Sequence, residues 1–280
     1  MKKWLLIPLL SALILLTGCQ KSTTKPEVVT TFEPMYEFTK AVVGDELKVE
    51  NIVPSNQEIH EFEPSAKQVA IMTNASAIVY NSNDLEKWVL PVKTSALKIE
   101  AAKPVKQIDN NPHTWTSPKQ AIKEVEYIKT ALSKKFPKYQ SEFQKNATAY
   151  IAQLKKLDVA FDTLKNAKQK TFITQHEAFS YLARDYGLTE ISVTGIDPDV
   201  EPSPSALAEL KKQMEKTGLT AVYFEDDSNS KVAETLAKAT GAKLLVINTV
   251  EGLSDQQKKD GANYISLMQE NLKSMEKTIK

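Results

Sequence analysis

Cysteine occurs once in the 280 residues, at Cys19, and histidine three times, at His60, His113 and His176. A lone cysteine excludes an internal disulfide, whatever compartment the protein occupies. Basic blocks are missing too. Lysine and arginine number 36 against 35 acids, for a net charge of +1, and they are interspersed along helical segments. Nucleic-acid binding needs a clustered positive face, so that class is excluded. No H-E-x-x-H pair, internal repeat, cell-wall motif or long exposed apolar stretch is present.

What remains is an ordinary globular composition, 41% apolar, 25% charged and 8% aromatic, in a chain long enough for two lobes. Residues 1–18 stand apart as a signal peptide: a basic start, an apolar run from Leu5 to Leu16, then small residues. Twelve apolar residues are too few to span a bilayer core of about 30 Å. Leu16, Thr17, Gly18 and Cys19 resemble the lipobox of bacterial lipoproteins, in which the cysteine is acylated and becomes the new N-terminus. Residues 19–26 then form a lipidated polar tether.

From residue 27 onward, short β-branched runs alternate with amphipathic segments, as in α/β lobes built on mostly parallel sheets. Eight strands are expected, at 27–32, 47–53, 76–81, 96–101, 170–174, 190–195, 220–225 and 243–248. They form two sets of four. Between the sets, Phe143, Ala147, Tyr150, Ile151, Leu154, Leu157, Phe161 and Leu164 recur every three or four residues, which predicts one long helix over 139–166. Pro137 should interrupt the helical region before it. The expected organisation is an N-terminal lobe at 27–137, a linking helix within 138–168, and a C-terminal lobe at 169–280.

Each histidine lies downstream of a strand's carboxyl end: His60 after 47–53, His113 after 96–101 and His176 after 170–174. In open α/β sheets ligands bind at that edge. Imidazole is the commonest protein ligand for zinc and related ions, and a carboxylate would complete a four-coordinate set. Glu58, Glu61, Glu63, Glu177, Glu225, Asp226 and Glu251 all fall near the same edge. Spacing alone does not choose among them.

Four ordered motifs, "IVPSNQEIHEFEPSAKQ", "NPHTWTSP", "ITQHEAFSYLARDYGL" and "INTVEGLSDQQKKDGANYISLMQENL", resemble the metal-binding lipoproteins of bacterial zinc and manganese ABC importers, of the zinc-type adhesion lipoprotein kind. The likeness covers about residues 28–272. It implies two α/β lobes joined by a rigid helix with the metal between them. It also implies a ligand set of His60, His113, His176 and Glu251, the third position being commonly glutamate in manganese-type relatives. Trp115 reads as core beneath the His113 loop. One departure stands out: the histidine-rich loop that many zinc-type relatives carry between the first two motifs is missing.

The expected protein is a monomeric, lipid-anchored extracytoplasmic receptor that carries Zn2+ as cargo to an ABC permease and catalyses nothing. The alternatives are a manganese receptor of the same family, a zinc hydrolase using Glu177 as base, and a surface adhesin.

Overall fold

The structure, a computed structural model, describes residues 27–280 apart from 56, 199, 201 and 226–229. The signal peptide, Cys19, the tether and Asp226 therefore lie outside the described residues.

All eight expected runs hold a strand, most of them shorter than expected, and the sixth begins one residue early at Thr189 and ends at Ser192. In the first lobe β1 (Val28–Thr30), β2 (Val49–Asn51), β3 (Ala77–Tyr80) and β4 (Leu97–Glu100) form a parallel sheet in the order β2-β1-β3-β4. In the second lobe β5 (Thr171–Thr174), β6 (Thr189–Ser192), β7 (Ala221–Phe224) and β8 (Lys243–Val246) repeat that order as β6-β5-β7-β8. The likeness between the lobes is one of topology. In both sheets the chain leaves its first strand to one side and returns on the other, which opens a crevice at the strands' carboxyl ends.

Helices cross between the strands. The first lobe carries α1 (Glu33–Val43) and α2 (Ala66–Asn74), the latter started by a capping box in which Ser65 and Gln68 satisfy each other's backbone amides. Then come α3 (Pro118–Lys135) and α4 (Gln140–Phe161). Pro137 separates these two through a 3-10 turn, as its missing N–H and fixed φ require. The expected long helix is α4, whose last turn tightens into a 3-10 segment over Asp162–Asn166. Its 22 residues extend about 33 Å. Phe143, Ala147, Ile151, Leu154, Leu157 and Phe161 are its buried stripe. The second lobe adds α5 (Ser180–Tyr186), α6 (Pro204–Thr217), α7 (Ser230–Thr240), α8 (Asp255–Lys259) and α9 (Tyr264–Met275). Among the described residues, no helix is long and apolar enough to cross a membrane.

The lobes share their main core. One continuous cluster runs from Val28 and Phe38 through the α4 stripe to Tyr223, Tyr264 and Ile279. It closes because α4 packs on α1 and α3 on one side and on α9 on the other. Polar links reinforce the seam. The Glu37 carboxylate on α1 accepts from the backbone N–H of Tyr264, the first residue of α9, at 2.8 and 2.9 Å. Ser117 donates to the Asp185 carboxylate at 2.6 Å. A smaller cluster of Ile173, Leu210, Met214, Leu219, Val222 and Ala242 fills the far face of the second sheet beneath α6.

Candidate metal centre

The three histidines and Glu251 meet at the seam, each brought there by the loop after a different strand. His60 follows β2, His113 follows β4, His176 follows β5 and Glu251 follows β8. One ligating atom from each lies within 4.8 Å of all the others. Nε2 of His113 is 3.0 Å from Nε2 of His60 and 3.4 Å from Nε2 of His176. Glu251 Oε1 lies 3.5 Å from His113 Nε2 and 4.0 Å from His60 Nε2. Ligands about 2.0–2.1 Å from a tetrahedral zinc are about 3.3 Å apart, so these separations are already near those of a filled site.

The environment suits a dication. Burial, with the His176 charge adding to it, holds the His60 imidazole down at about 4. Burial and both neighbouring rings hold His113 well below its ordinary value. Two imidazoles are thus neutral with lone pairs to offer. At His176 burial pulls downward, but the Glu225 carboxylate 2.6 Å from Nδ1 outweighs it and the value rises. A carboxylate on the remote ring nitrogen is the usual way a metal-binding histidine is oriented and made more basic. Glu251 is pushed well above the usual carboxylate range, first by burial and then by Glu58 and Glu225. Its Oε1 is buried and has no hydrogen-bond partner, a costly state that a cation would relieve.

The remaining carboxylates sort cleanly. Glu58 accepts from the backbone N–H of His60 at 3.0 Å and stands behind Glu251. Glu225 backs His176 and also accepts from Thr249 at 3.2 Å. Glu61 and Glu63 are exposed and outside the cluster. Glu177 accepts from Ser180 at 2.9 Å at the start of α5 and is not one of the four convergent groups. The base role that a hydrolase would need from it has no geometric support.

Several residues that build the site carry no obvious sequence signal. Trp115 is fully buried, as expected of core, yet its indole also donates to the Thr249 carbonyl at 2.7 Å, across the seam and two residues from Glu251. Asn81 donates to the Pro112 carbonyl at 2.7 Å and accepts from Thr114 at 3.0 Å, bracing both sides of His113. Val250 holds φ at 63°, a left-handed conformation costly for a β-branched residue. Its N–H is held at 2.6 Å by Asn248 Oδ1, while Asn248 is gripped by the Asn271 amide at 2.7 Å on both backbone groups. A Cβ on Gly252 would stand 2.1 Å from the carbonyl oxygen of Ser55, so only glycine lets the Glu251 loop close on the loop leading to His60. Of these, only Asn81 could have been suspected, as a short amide at a strand end.

Comparison with known proteins places this geometry. The chain belongs to the family described as zinc-uptake complex component A, periplasmic, which it matches over residues 28–278. It is 40% identical to the zinc-binding lipoprotein AdcA of Streptococcus pneumoniae over 98% of its own length, and spans about 60% of that longer relative. It is 37% identical to the high-affinity zinc uptake system protein ZnuA of Bacillus subtilis, covering 99% of this chain and 98% of the other. Among solved structures, the Zn(II)-bound ZnuA-like domain of S. pneumoniae AdcA superposes with a TM-score of 0.83 at 42% identity, over 91% of this chain and 99% of that domain.

Proposed function

We propose that this protein is an extracytoplasmic zinc receptor that holds one Zn2+ between its lobes on His60, His113, His176 and Glu251 and hands it to an ABC permease. The observation that carries the reading is the convergence of three imidazole Nε2 atoms and one partnerless carboxylate oxygen within 4.8 Å, in a buried seam. Four protein ligands close a tetrahedral site and leave no position for an activated water, which suits capture rather than hydrolysis. Three nitrogens favour zinc over manganese, a harder ion that prefers oxygen. The names of the relatives support zinc as cargo, and with it the permease as partner.

The same reading takes residues 27–137 and 169–280 as the two lobes and 138–168 as the strut between them. Cys19 is the lipidated first residue of the mature monomer; its diacylglyceryl group supplies the two chains that stable anchoring requires.

Elemental analysis and zinc titration of the chelated, reloaded protein test the function. One zinc per chain is expected, lost by more than the 10–100-fold typical of residues behind the ligands when His113 becomes alanine. His176→Glu should weaken zinc far more than manganese. Equal losses for the two metals, or unchanged zinc binding in His113→Ala, would overturn the assignment. Intact-mass measurement of the membrane fraction decides the Cys19 modification.

A further inference from the structure

The Asn111 side chain lies between the ligand-bearing loops of the two lobes, almost wholly buried. Its amide nitrogen donates to the backbone carbonyl of Glu177, the residue after His176, at 2.7 Å. A carbonyl only accepts, so this contact fixes which end of the amide is which. The amide oxygen must then face the other way, where it lies 3.0 Å from the backbone N of His113 and 2.9 Å from that ring's Nδ1. An amide oxygen only accepts, so Nδ1 carries the proton and Nε2 presents a lone pair. Nε2 is the atom that faces His60 and His176. The opposite tautomer would set two lone pairs against each other at Nδ1 and aim an N–H at the point where the other ligands converge.

We propose that Asn111 is a positioning residue that holds His113 in the Nδ1–H tautomer and makes that state depend on the second-lobe loop carrying His176. If the Glu177 carbonyl withdraws, only the His113 backbone N–H still fixes the amide's orientation, so the oxygen's hold on Nδ1 weakens and the Nε2–H tautomer gains population. Readiness of a first-lobe ligand is thereby tied to the place of a second-lobe ligand. The loop itself does not depend on this side chain, because Tyr181 donates to the Asn111 carbonyl at 2.8 Å and Asn81 holds Pro112.

The predicted effect on affinity rests on the zinc-receptor reading, whereas the tautomer does not. With only three histidines, long-range proton–nitrogen correlation spectra of the metal-free protein can report each ring separately. His113 is expected as Nδ1–H in the native protein and as a mixture in Asn111→Ala. That variant should also raise the zinc Kd on the order of 10–100-fold. Asn111→Asp keeps the acceptor toward Nδ1 but sets a second oxygen against the Glu177 carbonyl, so it should restore the tautomer while recovering only part of the affinity. An Nε2–H tautomer in the native protein, an unchanged ring in Asn111→Ala, or no recovery in Asn111→Asp would each overturn the proposal. If Asn111→Ala does not fold, the native tautomer and Asn111→Asp still decide it. Unchanged zinc binding in His113→Ala would instead sink the receptor reading and leave the tautomer result standing.

Discussion

The two lobes share one strand order but are packed differently. In the first, every residue of β3 is buried and belongs to the cluster that continues through α4 into the second lobe. In the second, only the inward face joins that cluster, through Phe172, Tyr223 and Leu245. Among the described residues, the outward face rests on a separate cluster of six, two of them, Leu210 and Met214, supplied by α6. The ligand loops of both lobes rise beside the shared core, and none of the four convergent groups belongs to the smaller cluster. Cooperative packing has been placed where the site must stay rigid.

The largest effects should separate these two kinds of core. Leu154→Ala, in the buried stripe of α4, is expected to cost about 2–5 kcal/mol and to lower the thermal midpoint of the whole chain. Leu210→Ala removes the same atoms beneath α6, but native-state hydrogen exchange should show faster opening confined to α6, β5 and β7. Equal acceleration of the β3 amides would mean the small cluster is not independent.

Buried acids sharpen the contrast next. Burial pushes Glu124 on α3 to about 8 and Glu86 to about 7 in the first lobe, and Glu190 to about 7 in the second. A carboxyl raised above its unfolded value contributes stability below about pH 4.5, and this is lost as pH climbs through the folded value. Glu124→Gln should therefore gain on the native protein, on the order of 3 kcal/mol, between pH 5 and pH 8 in metal-free denaturant melts. A pH-independent difference would show that Glu124 is not held protonated.

Closure at the seam comes third. Gly252→Ala forces a methyl group against the Ser55 carbonyl, an overpacking cost of about 1–3 kcal/mol that should appear as weaker zinc binding. The midpoint of the metal-free protein should move little, since a loop can stand open without unfolding either lobe. Calorimetric titration with zinc checks this, and unchanged affinity would show that the two loops need not touch. Smallest is Ser203→Ala. Its hydroxyl caps α6 by accepting from Ala206 N–H at 3.2 Å, and its loss should cost about 1 kcal/mol, visible chiefly in α6 exchange.

Much of this was legible in the chain. The eight strands came from β-branched runs, and the α4 stripe from intervals of three and four, because periodicity reports which face a segment buries. The histidines were legible because three is so few and each follows a strand end. Choosing Glu251 among seven acids was not possible from spacing. It took the resemblance of "NTVEGLS" to a known motif, and the structure brings that residue to the histidines. Glu225 shows the limit: it follows a strand end equally well, yet it reaches the far nitrogen of His176. Which side of a ring a carboxylate reaches depends on the sheet's twist and on neighbours distant in sequence.

The sequence by itself determined the elements and their alternation, the break at Pro137, and the small set of imidazoles able to bind a soft-to-borderline ion. These follow from local chemistry: backbone preference, side-chain period and residue type. Only the tertiary structure decided that the lobes share one core, that Asn111 and Trp115 bridge the seam, and that Gly252 admits the Glu251 loop. Each of those depends on groups far apart in the chain, such as Trp115 with Thr249 and Ser55 with Gly252, being held within a few ångströms. A contact of that kind has no local energy to leave a mark on sequence pattern, because it exists only after α4 has brought the two sheets together.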